Sequence, residues 1–155
     1  MNETMSNQEN VVLMARGLAK TYGQGPTAVE VLKAIDLDVT PSEKVAIVGS
    51  SGSGKSTLLH LLGGLDTPSA GSVVLTGSNL NQLSIKKLDQ LRNQSLGFIY
   101  QFHHLLDEFS AVENVALPLR IRGLDNDASM ERASKMLKAV GLSARELHTP
   151  GELSG

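Results

Sequence analysis

One short segment organises this sequence: Gly49-Ser50-Ser51-Gly52-Ser53-Gly54-Lys55-Ser56-Thr57. It fits the pattern G-x-x-x-x-G-K-[ST] at every fixed position, which is typical of a loop that binds nucleotide phosphates. Before the loop, residues 44–48 form a short β-branched apolar run that predicts a strand buried in a parallel sheet. After the loop, residues 57–62 contain good helix formers and predict a helix. Strand, loop and helix therefore follow one another in the order that the pattern requires.

The residue types in this loop suit a triphosphate. Many backbone N–H groups must approach the phosphates closely, and glycine at positions 49, 52 and 54 removes the Cβ atoms that would keep the backbone away. The N-terminus of the following helix adds free N–H groups and a positive dipole end. Lys55 supplies a charge for the β- and γ-phosphates, and the Ser56 hydroxyl can ligate Mg²⁺. The predicted nucleotide-binding residues are Gly49, Ser50, Ser51, Gly52, Ser53, Gly54, Lys55, Ser56 and Thr57.

Length and composition exclude several classes of protein. The chain has 155 residues, enough for one domain or for one domain and part of another. Its formal charge of -2, from 14 basic and 16 acidic residues, gives no electrostatic case for a nucleic-acid partner. It contains no cysteine, which excludes disulfides and thiolate metal sites. No stretch approaches the roughly 18 apolar residues of a membrane span.

The first half of the chain is predicted to be rich in strands, and the part after Gln101 is predicted to be helical. Strands are predicted over 11–18, 29–39, 72–75 and 96–100, the last ending at Gln101. A helix is predicted over 85–93, after Ser84. Further on, Ser110 and Glu113 form a capping box before a helix that Pro118 should kink or interrupt. Asp127 is the predicted cap of the next helix, and the apolar stripe of that helix is Ala133, Met136, Leu137 and Val140. A second capping box is predicted over 143–146.

Four features in a fixed order carry a resemblance to a known family. They are Tyr22, the phosphate loop, Gln101 at a strand end and the terminal Glu152-Leu153-Ser154-Gly155, which is similar to the opening of an LSGGQ-type signature. This order resembles the ATP-binding subunits of ABC transporters. The resemblance implies an α/β P-loop NTPase (ABC ATPase) core with an N-terminal antiparallel β layer and a helical subdomain. The β layer and core would occupy about residues 1–100, and the helical part 101–155.

Two segments narrow the resemblance further. Residues 50–66, and above all residues 98–106, are similar to the ATPases of the lipoprotein-releasing (Lol) system, which extracts lipoproteins from the inner membrane for delivery to the outer membrane. Asp107 stands where proline is expected in that subfamily. Macrolide-exporter and cell-division ATPases share the general plan, so they remain alternatives.

The resemblance implies a role for each matching residue. Tyr22 would stack on adenine, and Gln101 would reach Mg²⁺ and the attacking water. Ser154 and Gly155 would contact the γ-phosphate of ATP on an opposite subunit, which implies a head-to-tail dimer of ATPase subunits. Residues 102–109 would help to dock two transmembrane subunits. The protein would then be peripheral, on the cytoplasmic face of the inner membrane.

Parts of the family's chemistry are not found in these 155 residues. No later apolar strand ends in Asp-Glu, so the Walker B aspartate, the adjacent general base and a following histidine are missing, as is the C-terminal half of the core. Loss of a general base alone commonly costs about 10²–10⁴-fold in rate. We therefore expect a truncated chain that binds nucleotide poorly and hydrolyses it negligibly by itself.

Two other classes of function stay open from the sequence. One is a non-hydrolytic nucleotide-binding module that docks on the membrane subunits or on a full-length partner. The other is an unrelated P-loop enzyme such as a small kinase or GTPase. The sequence lacks the Asn-Lys-x-Asp motif that reads guanine, and both Gln101 and the terminal Leu-Ser-Gly favour the transporter subunit.

Overall fold

A computed structural model describes residues 10–101 and 104–153. The chain divides into two compact units between Ser95 and Leu96. The first unit contains a sheet and two α-helices, and the second contains two further α-helices; both units include short 3₁₀ turns.

The sheet of the first unit is antiparallel throughout. Its strands are β1 (Leu13–Tyr22), β2 (Val29–Val39), β3 (Ala70–Leu75) and β4 (Ser78–Asn79), in the spatial order β2-β1-β3-β4. The central strand β1 pairs with β2 on one side and β3 on the other. The predicted antiparallel β layer is therefore confirmed, and the second strand has the predicted bounds.

The first helix, α1 (Lys55–Leu62), begins at the phosphate loop and packs against β1 and β2. Its inner face buries Leu58, Leu61 and Leu62. The sheet contributes Ala15 and Leu18, both fully buried. Burying a leucine side chain stabilises a fold by about 1.5–3 kcal/mol, so this face fixes the helix, and with it the loop, on the sheet.

The second helix, α2 (Ile85–Ser95), confirms the predicted helix and is attached more loosely. None of its residues is fully buried, and Leu88 and Leu91 are half-buried. Arg92 donates a hydrogen bond to the carbonyl of Gly64 at 2.9 Å and pairs with Asp89. The contact with Gly64 joins the helix to the turn that follows α1.

The second unit is built on α3 (Ala111–Ile121) and α4 (Asn126–Ala139). Its core consists of small and medium side chains: Ala111, Val112, Ala116, Ala133 and Leu137. Because Ala116 and Ala133 are fully buried and small, the two helices can approach closely. The predicted capping box of Ser110 and Glu113 is confirmed, and the helix continues through Pro118 without interruption.

Two helix-start predictions are wrong. Asp125, not Asp127, caps α4, because the Asp125 carboxylate accepts the N–H of Ala128 at 2.8 Å. Ser143 caps nothing and lies within a 3₁₀ turn. Glu146, its predicted partner, accepts the hydroxyl of Ser134 instead. In the predicted apolar stripe of α4, Met136 and Val140 are exposed.

The predicted strands over 44–48 and 96–100 are also wrong. Neither segment has regular secondary structure, and neither pairs with a strand in the part of the chain that the structure describes. Val48 is 88% exposed and Ile99 fully exposed. A strand depends on hydrogen bonds to its neighbours, and an apolar, β-branched sequence does not supply them.

Candidate phosphate-binding site

The loop before α1 lies on the surface and takes backbone conformations that favour glycine. Residues 49–53 are exposed. Gly52 and Gly54 have φ angles of 78° and 86°, in the left-handed region that costs other residues energy. The N–H of Ser53 donates to the carbonyl of Ser50 at 3.3 Å and closes the loop.

The three glycines of the loop have different neighbours. A Cβ at Gly54 would lie 2.9 Å from Cγ1 of Val31 and 3.0 Å from Cδ2 of Leu32, so β2 fills the space beside it. A Cβ at Gly49 would lie 2.6 Å from the Ser53 hydroxyl oxygen. At Gly52 a Cβ would have no neighbour within 4 Å. The surroundings of Gly54 thus require glycine for packing on the sheet, a reason that the sequence pattern does not reveal.

The Lys55 ammonium lies over the loop. Its Nζ donates hydrogen bonds to the carbonyl oxygens of Ser50 at 2.7 Å and Gly49 at 3.0 Å. Both acceptors are neutral, whereas a phosphate oxygen is charged and forms a stronger hydrogen bond with an ammonium. A phosphate that enters the loop can therefore replace these two carbonyl oxygens as the hydrogen-bond acceptor of the Lys55 ammonium.

The start of α1 offers further donors. The first intrahelical bond runs from the N–H of Leu58 to the carbonyl of Gly54 at 2.8 Å, and the N–H groups before it lie in the turn that has no intrahelical acceptors. The dipole of the helix adds positive potential at this end. The Ser56 hydroxyl is exposed in the same turn, and Thr57 is half-buried. A hydroxyl oxygen beside bound phosphates suits Mg²⁺, which prefers oxygen ligands and retains several waters.

Tyr22 lies in the same unit as the loop. It is the last residue of β1 and pairs with Val29 of β2. Val31, which contacts Gly54, lies two residues further along β2, about 7 Å at the usual rise of a strand. The ring is 43% exposed, and its hydroxyl donates to Oδ2 of Asp66 at 2.9 Å.

Asp66 and Lys20 form a charged pair beside Tyr22. Lys20 is only 9% exposed, and its Nζ donates to Oδ1 of Asp66 and to the carbonyl of Thr67, both at 2.7 Å. The same Nζ lies 4.8 Å from the centre of the Tyr22 ring. The hydrogen bond from Lys20 is the main reason why the pKa of the Asp66 carboxyl is lowered, and the Tyr22 hydroxyl and the Thr67 N–H act in the same direction. Asp66 is therefore held as a carboxylate.

Sequence reasoning missed this pair. One indication was present: Lys20 follows Leu18 at the period of two that puts side chains on the same face of a strand. A lysine on a buried face requires a partner for its charge. The sequence does not identify that partner, because Asp66 is 46 residues away.

The other predicted site residues lie in the second unit or outside the described residues. Gln101 is exposed and belongs to the second unit. Ser154 and Gly155 lie outside the described residues, as do Phe102 and His103. The segment before Ser154 is anchored: Leu153 packs against the core of α3 and α4, and Glu152 forms a capping box with Thr149. Of the predicted site residues, Tyr22 and residues 49–57 lie in the first unit.

Residues 10–101 and 104–153 contain no group of three or more His, Asp or Glu side chains placed to hold a metal ion. Across the same ranges, no helix combines the length and the apolar character that crossing a membrane demands.

Comparison with known proteins identifies the family. A family model described as ABC transporter matches residues 32–155, which include the whole phosphate loop, α1 and both helices of the second unit. The chain belongs to the ABC transporter family. The structural assignment agrees: two solved structures of a dimeric ATP-binding cassette, one of them in a post-hydrolysis state with ADP and Pi, match with a TM-score of 0.82 and 34% identity. Each match covers 92% of this chain and 63% of the solved chain.

Among curated relatives, the chain is similar to proteins named "Lipoprotein-releasing system ATP-binding protein LolD". It is 53% identical to the one from Chromohalobacter salexigens over 99% of this chain, and 53% identical to that from Bordetella pertussis over 98%. The Pseudomonas fluorescens protein is 54% identical over 95% of the chain. The chain spans 65%, 66% and 65% of these relatives' lengths, respectively. The fold is that of part of an ABC ATPase cassette.

Proposed function

We propose that this chain is the nucleotide-binding part of an ATP-binding subunit of an ABC transporter that releases lipoproteins from the inner membrane toward the outer membrane. The observation that carries the proposal is the loop at the start of α1, where the Lys55 ammonium lies over the backbone of the exposed residues 49–53. The identity of 53% to proteins named for lipoprotein release supports the choice of substrate class. Related exporters and cell-division complexes are the competing assignments.

In this function each part of the first unit has a task. Residues 49–57 surround the triphosphate of ATP with backbone N–H groups, and Lys55 neutralises the β- and γ-phosphates. Tyr22 stacks on the adenine, a contact worth about 1–3 kcal/mol for a base on an aromatic ring. The exposure of Tyr22 and its pairing with Val29, two residues before Val31 on β2, support this assignment.

Mg²⁺ would be held by the Ser56 hydroxyl, and Gln101 is its second proposed ligand. When bound, the ion would supply positive charge that offsets the negative charge developing during phosphoryl transfer. The Gln101 amide would also orient the attacking water. Hydrolysis further requires a general base, which we do not find in these 155 residues, so we expect the chain to hydrolyse ATP negligibly by itself.

The proposed partners are a second ATPase subunit and two transmembrane subunits. Ser154 and Gly155 would contact ATP bound to the opposite ATPase subunit in a head-to-tail dimer. The dimeric state of the similar cassettes supports this arrangement. The protein would lie on the cytoplasmic face of the inner membrane, as a peripheral subunit.

A binding experiment tests the choice of transporter. The tagged 155-residue chain is mixed with detergent-solubilised membrane subunits of a lipoprotein-releasing transporter and, in parallel, with those of a macrolide exporter. We expect retention by the first and not by the second. Retention by the macrolide exporter alone, or by neither set, would contradict the proposed substrate class.

A further inference from the structure

The Tyr22 ring is held from two directions. Its hydroxyl donates to Oδ2 of Asp66 at 2.9 Å. The Lys20 ammonium lies 4.8 Å from the centre of the ring, within the range of a cation–π contact. Tyr22 is 43% exposed, so part of the residue remains accessible to a ligand.

Asp66 is itself fixed to the helix that begins at the phosphate loop. Its Oδ1 accepts the Lys20 ammonium and the N–H of Thr67, both at 2.7 Å. The N–H of Leu65 donates to the carbonyl of His60, in the last turn of α1, at 2.8 Å. The carboxylate that holds Tyr22 is therefore anchored both to β1, through Lys20, and to the end of α1.

We propose that Asp66 is a positioning residue for the nucleotide base: it fixes the Tyr22 phenol while the Lys20 ammonium occupies one ring face, so that the base is received on the opposite face. This inference rests on the proposed role of Tyr22 in stacking on the base. Asp66 itself does not contact the nucleotide.

The physical reason is the cost of ordering a side chain. An exposed tyrosine without a tether samples several rotamers and loses that freedom when a base stacks on it. The hydrogen bond to Asp66 restricts the ring before the base arrives. Loss of the tether should therefore weaken binding of the base while leaving binding of the phosphates unchanged.

The experiment compares two ligands, Mg-ATP and Mg-tripolyphosphate, which share the phosphates but differ in the base and ribose. Their affinities for the 155-residue chain are measured by NMR titration, which also detects millimolar binding. Tyr22→Phe removes only the hydroxyl and keeps the Lys20–Asp66 pair. It should lower the preference for ATP by about two- to ten-fold, with no change in tripolyphosphate affinity.

Asp66→Asn tests the other end of the contact. It should also lower the preference for ATP, and the double variant Tyr22→Phe/Asp66→Asn should lose less than the sum of the two single losses, because both changes act on the hydrogen bond between Tyr22 and Asp66. Tyr100→Phe is the control for loss of a phenol, since Tyr100 is also 43% exposed. Asp38→Asn is the control for loss of a paired carboxylate, since Asp38 pairs with Arg16 of β1 at 2.6 Å. Neither control should change the preference.

Tyr22→Ala separates this inference from the function on which it rests. If wild type shows no preference for ATP, or if Tyr22→Ala leaves the preference intact, the stacking role of Tyr22 is wrong and the inference fails with it. If Tyr22→Ala removes the preference but Tyr22→Phe does not change it, only the positioning role of Asp66 is overturned. Should Asp66→Asn fail to fold, the result for Tyr22→Phe decides alone.

Discussion

Replacing Gly54 by alanine tests how the loop is attached to the sheet. The φ of 86° at this position costs an alanine about 1–2 kcal/mol. The new Cβ would also lie 2.9 Å from Cγ1 of Val31, 3.0 Å from Cδ2 of Leu32 and 3.1 Å from the Val31 carbonyl oxygen. Crowding of this kind costs about 1–3 kcal/mol. We therefore expect Gly54→Ala to lower the free energy of unfolding of the first unit by about 2–5 kcal/mol.

Gly52→Ala is the matched control within the loop. Its φ of 78° gives an alanine a similar backbone cost, but a Cβ there has no neighbour within 4 Å. It should cost only about 1–2 kcal/mol, so the difference between the two variants isolates the contact with β2.

The assay is urea denaturation followed through the NMR amide signals of α1 and β2, which report on the first unit. Tripolyphosphate is left out, so that ligand binding does not contribute to stability. Equal losses for Gly54→Ala and Gly52→Ala would refute the reasoning, because the contact of Gly54 with Val31 and Leu32 would then have no energetic weight.

Three further predictions follow from particular contacts. Ser110→Ala should lower the free energy of unfolding of the second unit by about 1 kcal/mol, because the helix loses its cap. Ser143→Ala should have little effect, since Ser143 caps nothing. Urea denaturation that shows a larger loss for Ser143→Ala than for Ser110→Ala would contradict the assigned caps. The folded pKa of Asp66 lies below its ordinary 3.8, chiefly because of the hydrogen bond from Lys20, so the stabilisation is present above that value and disappears as pH falls through the folded pKa. The difference in unfolding free energy between wild type and Asp66→Asn should therefore shrink as the pH is lowered below about 4, and a difference that stays constant as the pH falls would oppose this. Ile99→Ser should change the free energy of unfolding by less than about 0.5 kcal/mol, because the side chain is fully exposed. A larger change, measured by thermal denaturation, would show that the side chain is buried.

Local patterns in the sequence predicted much of the fold. The phosphate loop and the capping box at Ser110 are recognisable because each depends on residues close together in sequence. The choice between Asp125 and Asp127 as helix cap was wrong, because both residues favour caps and only the geometry shows which carboxylate reaches the N–H of Ala128. Residue type alone does not make that distinction.

Contacts between distant residues could not be predicted. The bond from Tyr22 to Asp66 joins residues 44 positions apart, and nothing in residues 63–71 marks Asp66 as more than a turn residue. The segments 44–48 and 96–100 were predicted as strands for a related reason: local sequence does not show whether a segment has a partner to pair with. Their composition favours strands, but a strand requires a neighbour, and none is present among the described residues.

The most direct measurement is binding of Mg-ATP to the 155-residue chain and to Lys55→Ala, by NMR titration, with circular dichroism to establish that both are folded. The account predicts saturable binding with shifts at residues 49–57. Lys55→Ala should weaken that binding by about ten-fold or more, because a charged hydrogen-bond partner of the phosphates is lost. Equal affinity in the two chains, or no binding to a folded wild-type chain, would contradict the claim that this loop holds a nucleotide.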